Sequence, residues 1–161
     1  MKRRNNMKIL FKFKIFFLYF FLILASFAII FFVQQTVPSE SVIRFPNGKE
    51  ILVDVARTQW EQVKGLSGHD SLPENEGLLF VHEKLDYQGY WMKEMLFPID
   101  IIWINGNEVV GFVQKVQPQE SPLTIYNSPV PVDKVLEVNA RFVEENSINV
   151  GDILDIHLLN K

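Results

Sequence analysis

The chain has 161 residues, a formal net charge of −3 and no cysteine. Residues 1–33 hold six of the sixteen basic side chains (Lys2, Arg3, Arg4, Lys8, Lys12 and Lys14) and no Asp or Glu, which leaves ten basic and nineteen acidic residues in 34–161, a net −9. An acidic domain repels phosphate, which excludes nucleic-acid binding; the missing cysteines exclude thiol nucleophiles, disulfides and thiolate metal sites.

The first predicted element is Ile15 to Val33, 19 residues without a charge. At a rise of about 1.5 Å per residue this run approaches the roughly 30 Å thickness of the bilayer hydrocarbon. It reads as one transmembrane helix behind a basic cytoplasmic tail (1–14), and the positive-inside rule places the N-terminus in the cytoplasm and the domain outside. The competing reading is a cleaved signal peptide, with Ala25-Ser26-Phe27-Ala28 as the small-residue site, but Ile29 to Val33 carry the apolar run past it. Residues 34–41, with Pro38, form a tether to a domain at 42–161.

Within that domain the pattern favours strands. Ile51, Val53 and Val55 alternate with Leu52, Asp54 and Ala56 after the turn Pro46-Asn47-Gly48. Thr58-Gln59-Trp60-Glu61 fits a capping box and predicts a short helix to about Leu66, with Trp60, Val63 and Leu66 on its buried side and Gly65 or Gly68 as its stop. Leu78 to Val81 is a short strand. Ile99 to Ile104 and Val109 to Val116 flank Asn105-Gly106-Asn107, a hairpin signal, and both are apolar enough on two faces to lie centrally. Val135 to Ala140 is a further strand, Arg141 to Asn146 one or two helical turns, and Gly151-Asp152 leads into a last strand, Ile153 to Leu159. About seven short strands with one or two short helices and no βαβ rhythm predict a mainly β fold, a small, largely antiparallel sheet curled on itself or closed into a barrel.

Several of these stretches occur in a set: Val55-Ala56-Arg57-Thr58 with Glu61 and Gly65-Leu66, Gly77-Leu78-Leu79-Phe80-Val81, Trp91-Met92-Lys93, Pro98-Ile99-Asp100-Ile101, Tyr126-Asn127-Ser128, Val135-Leu136-Glu137 and Gly151-Asp152. Their order over about residues 50–158 resembles the bacterial and archaeal family called domain of unknown function 192. The resemblance implies a compact β-rich domain behind a signal or anchor, and no activity. The chain departs from the family pattern at Ser67 (usually Met), His69 (usually Arg), Glu94-Met95 (usually Asn-Thr) and Arg141 (often Gly).

Chemistry concentrates in the apolar run from Tyr90 to Ile104, which encloses Lys93, Glu94 and Asp100. Asp100 either caps the turn left by Pro98 or lines a pocket with Trp91 and Lys93; unpartnered burial of a carboxylate would cost several kcal/mol. Trp91 and Lys93 share one strand face, as core or as a ligand platform. Glu137 is a mid-strand carboxylate on the side of Val135 and Asn139, and Tyr126 lies in a loop between Pro122 and Pro129. Gly65-Leu66-Ser67-Gly68-His69 lacks nucleophile-elbow spacing, and His69, His82 and His157 show no metal spacing, so neither metal nor cofactor is expected.

The candidate ligand residues are therefore Trp91, Lys93, Asp100, Tyr126 and Glu137. They point to a membrane-anchored, extracytoplasmic binding or accessory module of the cell envelope, with the bilayer as one partner and a small molecule or glycan as the other. The alternative is a hydrolase or lyase of an envelope glycan with Asp100 and Glu137 as acid and base, a mechanism that requires both carboxyl groups to face one bond.

Overall fold

The computed structural model describes residues 19–26 and 40–159. The chain divides into two compact units, Met1–Pro38 and Ser39–Lys161. In the first, residues 19–26 are helical; among the described residues no helix is long and apolar enough to cross a membrane. The basic tail 1–14 and most of the spans 15–33 and 34–41 lie outside the described residues.

The second unit is mainly β. Its strands are β1 (Val42–Arg44), β2 (Glu50–Ala56), β3 (Glu76–Asp86), β4 (Gly89–Tyr90), β5 (Ile99–Asn105), β6 (Glu108–Val116), β7 (Tyr126–Asn127), β8 (Val132–Asn139) and β9 (Asp155–His157), with helices α1 (Gln59–Lys64) and α2 (Phe142–Glu145). Seven strands form one sheet in the order β6-β5-β8-β3-β2-β1-β9, and β4 pairs with β7 in a separate ribbon. The large sheet curls until its edges meet. Glu108 of β6 bridges Ile153, just ahead of β9, and Val109 N–H donates to Asp152 O while Leu154 N–H donates to Asn107 O.

Curling gives the sheet two buried faces. Ile43, Ile51, Leu79, Ile102, Ile104, Leu136 and Val138 fill the inner face with Phe142 and Val143 of α2. Phe80, Ile99, Ile101, Trp103 and Val135 face outward but are covered by Leu66, Met92 and Met95. This double burial explains why β5 is buried from Ile99 to Ile104 and apolar there at every position but Asp100.

The capping box forms as its sequence requires: Glu61 N–H donates to Thr58 Oγ1 at 3.3 Å and Thr58 N–H to Glu61 Oε2 at 2.8 Å. The hairpin β5–β6 also forms, with Gly106 at φ 61°.

Four expectations need correction. Trp60 and Val63 are exposed rather than buried: α1 docks through Gln62, whose Nε2 donates to Val81 O at 2.9 Å, and through the buried Leu66 beyond its end, which turns Trp60 and Val63 outward. β6 is an edge of the sheet order, not a central strand; it is apolar on two faces because Val109 and Phe112 join the inner core while Val110, Val113 and Val116 join the outer cluster. β2 and β3 pair in parallel across α1, a β-α-β unit that six helical residues with no buried side chain were too few to announce. Finally, strand structure ends at Tyr90, so Trp91 and Lys93 do not share a strand face; Lys93 makes only an isolated bridge to Gln119.

Candidate functional site

The five residues singled out by sequence divide into three environments. Asp100 is fully buried in β5. Its Oδ1 accepts from the backbone N–H of Lys115 (2.7 Å) and Arg141 (3.2 Å), and its Oδ2 from Val143 N–H (2.9 Å). Lys115 and Arg141 have left-handed backbones, φ 55° and 78°. The carboxylate thus fastens α2 and a kink of β6 to the sheet, a capping role for a different turn from the one at Pro98.

Tyr126 supports structure as well. Its hydroxyl accepts from Gln119 Nε2 at 2.8 Å, and Gln119 N–H donates to Met92 O. That chain of contacts holds the 91–95 segment against the sheet. Lys93 is exposed and lies 3.5 Å from Glu94, itself exposed.

Glu137 is different. It sits in β8 between Leu78 of β3 and Ile101 of β5, on the outward face with Val135. It is 5% exposed, and its Oε2 has no hydrogen-bond partner among the described residues. An ionised carboxylate in such a place carries a large desolvation cost; burial pushes this carboxyl up to about 8.

Asp100 and Glu137 therefore lie on opposite faces of one sheet. Asp100 pairs with Val138 and Ile101 with Glu137, and successive residues of a strand alternate faces. Asp100 points with Ile102 and Val138 into the inner core, Glu137 away from it. The two carboxyl groups do not face a common bond, so the acid–base pair expected from sequence is not assembled.

Glu137 forms part of the lining of a pocket of about 180 Å³ between β8, β3, β4 and the turn after α1. Phe80, His82, Tyr90, Trp91 and Met95 line it as well, with polar groups from Gln59, Gln62 and Gln88. The Tyr90 ring stands edge-on to Phe80 (centroids 4.9 Å) and to Trp103 (5.6 Å), and its hydroxyl meets His82 Nε2 at 3.1 Å. Burial lowers the His82 pKa below its ordinary value, opposed by Asp133. Burial, with the Glu137 charge second, raises that of the Tyr90 phenol.

A shallower hollow of about 240 Å³ adjoins the pocket and shares Val63, Lys64, Ser67 and Trp91 with it; Trp60, Lys93 and Glu94 complete it. Trp60 is 74% and Trp91 43% exposed. The wall between the two is tied down: Gly68 N–H donates to Glu94 O (2.8 Å) and Ser67 Oγ to Lys93 O (2.9 Å). Glu94 has a positive φ of 58° and Gly65 of 46° at this wall.

The structure thus unites Glu137 and Trp91, and Trp91 with Lys93, but leaves Asp100 and Tyr126 as supports. Trp60, His82, Tyr90 and Met95 were not selected by sequence. The alternation Leu78, Phe80, His82, with Leu78 opposite Glu137, is the signal that could have found His82, once the β3–β8 register is known. A wider cleft of about 520 Å³ includes Glu40, Asp54, Arg57, Glu61 and Glu76 in its lining. Its groups are solvated, Glu61 is occupied by the cap, and among the described residues no cluster of acidic and histidine side chains could hold a metal.

Fold and site define a small, curled-sheet β domain with an aromatic pocket over a buried carboxyl. The DUF192 family, described as uncharacterized ACR, matches residues 42–156, and the chain belongs to it. The chain is similar to a crystal structure of a protein of unknown function from Novosphingobium aromaticivorans DSM 12444, with 26% identity and a TM-score of 0.66 over 72% of this chain and 83% of that one. It also shares its fold with a Sinorhizobium meliloti 1021 protein called a "putative transcription regulator" (23% identity, TM-score 0.68, 75% of this chain and 96% of that one). No curated protein matches the chain.

Proposed function

We propose that this protein is a membrane-anchored binding module of the cell envelope, and that the Glu137 pocket, with the adjoining Trp60–Trp91 hollow, is its ligand site. The observation that carries the reading is Glu137 itself: a buried carboxyl oxygen without a partner among the described residues, in an aromatic pocket lined by the exposed Trp91, with the exposed Trp60 on the adjoining hollow. A folding core does not need that arrangement, because an apolar side chain would fill the place without the desolvation cost. The anchor half of the proposal is supported by the uncharged run at 15–33, the six cations ahead of it, and the apolar helical turns at 19–26. In this reading the N-terminus is cytoplasmic and the domain external.

The test is a ligand screen on the full chain in detergent micelles, read by tryptophan fluorescence, with small amines, alcohols and envelope-glycan fragments. Saturable quenching that Trp91→Ala removes, with no product formed, is the expected result. Steady conversion of a glycan that Glu137→Gln abolishes would replace the binding module with an enzyme.

A further inference from the structure

The geometry points to a specific chemical class of occupant: a small organic cation of the primary alkylammonium type, with its N–H groups on the Glu137 carboxylate and its alkyl part against Phe80, Tyr90 and Met95. This inference rests on the reading of the pocket as a ligand site. Three observations carry it.

First, the Glu137 carboxyl has an oxygen without a hydrogen-bond partner, and among the described residues no cation pairs with it. Lys64 stands at the rim and Lys93 in the adjoining hollow, but Lys64 Nζ donates to Ser67 O at 2.6 Å and Lys93 pairs with Glu94. Second, the walls are aromatic. Ring faces attract a desolvated organic cation, and Phe80, Tyr90 and Trp91 of the lining present such rings. Third, the pocket of about 180 Å³ has room for a short alkyl chain but not for an extended glycan.

The groups facing Glu137 from the surrounding elements are Tyr90 of β4 and His82 of β3, which contact each other, with Lys64 of α1 at the mouth. Burial disfavours the charged forms of both His82 and Tyr90. Glu137 is then the group that changes charge when the cation arrives. Its carboxyl holds its proton at pH 7 in the empty pocket and releases it when the ammonium supplies a counter-charge. Binding therefore exchanges one proton for one cation.

The experiment titrates the full chain in detergent micelles with n-propylammonium chloride, and separately with n-propanol as the neutral probe of the same shape. Calorimetry is run at pH 7 in two buffers of different ionisation enthalpy. The expected result is saturable binding of propylammonium with about one proton released, an affinity reduced at least tenfold in Glu137→Gln, and weak binding of propanol that the substitution leaves unchanged. Glu137→Gln keeps the side-chain volume and removes the charge; a thermal melt verifies its fold. Propanol binding as tightly as propylammonium, with Glu137→Gln without effect, would overturn the cation while leaving the pocket a ligand site. If neither probe binds, and neither does any molecule of the fluorescence screen, both readings fall.

Discussion

Asp100 and Glu137 carry the buried carboxyl groups among the described residues, and their surroundings treat them in opposite ways. Three backbone N–H groups converge on Asp100, so Asp100→Asn places an amide donor against donors. Its expected cost is about 3 kcal/mol, as for a lost charge-assisted network, read as a lower denaturant midpoint. Glu137 has no such partners, and its folded pKa of about 8 exceeds the ordinary 4.5. Below about 4.5 both folded and unfolded chains are protonated, and the group costs nothing. As pH rises from there the unfolded chain ionises while the folded one holds its proton, so stability falls until about pH 8 and then levels off. The loss amounts to a few kcal/mol, and Glu137→Gln should abolish it; superimposable pH–stability curves for the two proteins would refute this. Two departures from the family pattern acquire a conformational reason at the same scale. Glu94 and Arg141 both have left-handed backbones, φ 58° and 78°, where Asn and Gly are the favoured residues. Glu94→Asn and Arg141→Gly should each raise stability by up to about 1 kcal/mol, measured as an increase in Tm, whereas Arg141→Val should lower it.

At the scale of elements, β3, β5 and β8 form the frame on which the pocket stands. β3 needs Gly77 because its neighbours leave no room: a Cβ there would lie 3.0 Å from Leu136 Cδ1 and 3.1 Å from the Glu137 carbonyl oxygen. Gly77→Ala should push β3 from β8 and cost about 1–3 kcal/mol, with a matching loss of pocket binding, since Glu137 is the residue displaced; unchanged melting would show that the β3–β8 spacing is not tight. α1 illustrates what local pattern does and does not decide. Thr58 and Glu61 specify the cap from four adjacent residues, and it forms. Which side of α1 faces the sheet depends on Gln62 finding the Val81 carbonyl, a partner 19 residues away, and that contact exposes Trp60. The ribbon β4–β7 was not legible at all: each strand is two residues long, too short for any period, and is held by Ser128 and Gln88 exchanging bonds.

For the molecule as a whole, the anchor proposal predicts that the full chain stays in the membrane pellet after an alkaline wash and that removal of residues 1–33 releases it; recovery of the full chain in the supernatant would refute it. The mainly β class, the hairpin at Asn105-Gly106 and the collinear family motifs are determined by the sequence itself, because alternation, turn chemistry and capping act over a few residues. The meeting of sheet edges, the parallel β2–β3 pair and the site were decided by tertiary structure. Asp100 and Glu137 each have a readable parity within their own strand, but only the cross-strand register, Ile101 opposite Glu137, puts them on opposite faces. A one-residue shift would have inverted that relation. The physical reason is that register is set by long-range packing between strands remote in the chain. The identity of a buried carboxyl as cap or as ligand group therefore depends on contacts that no local pattern contains.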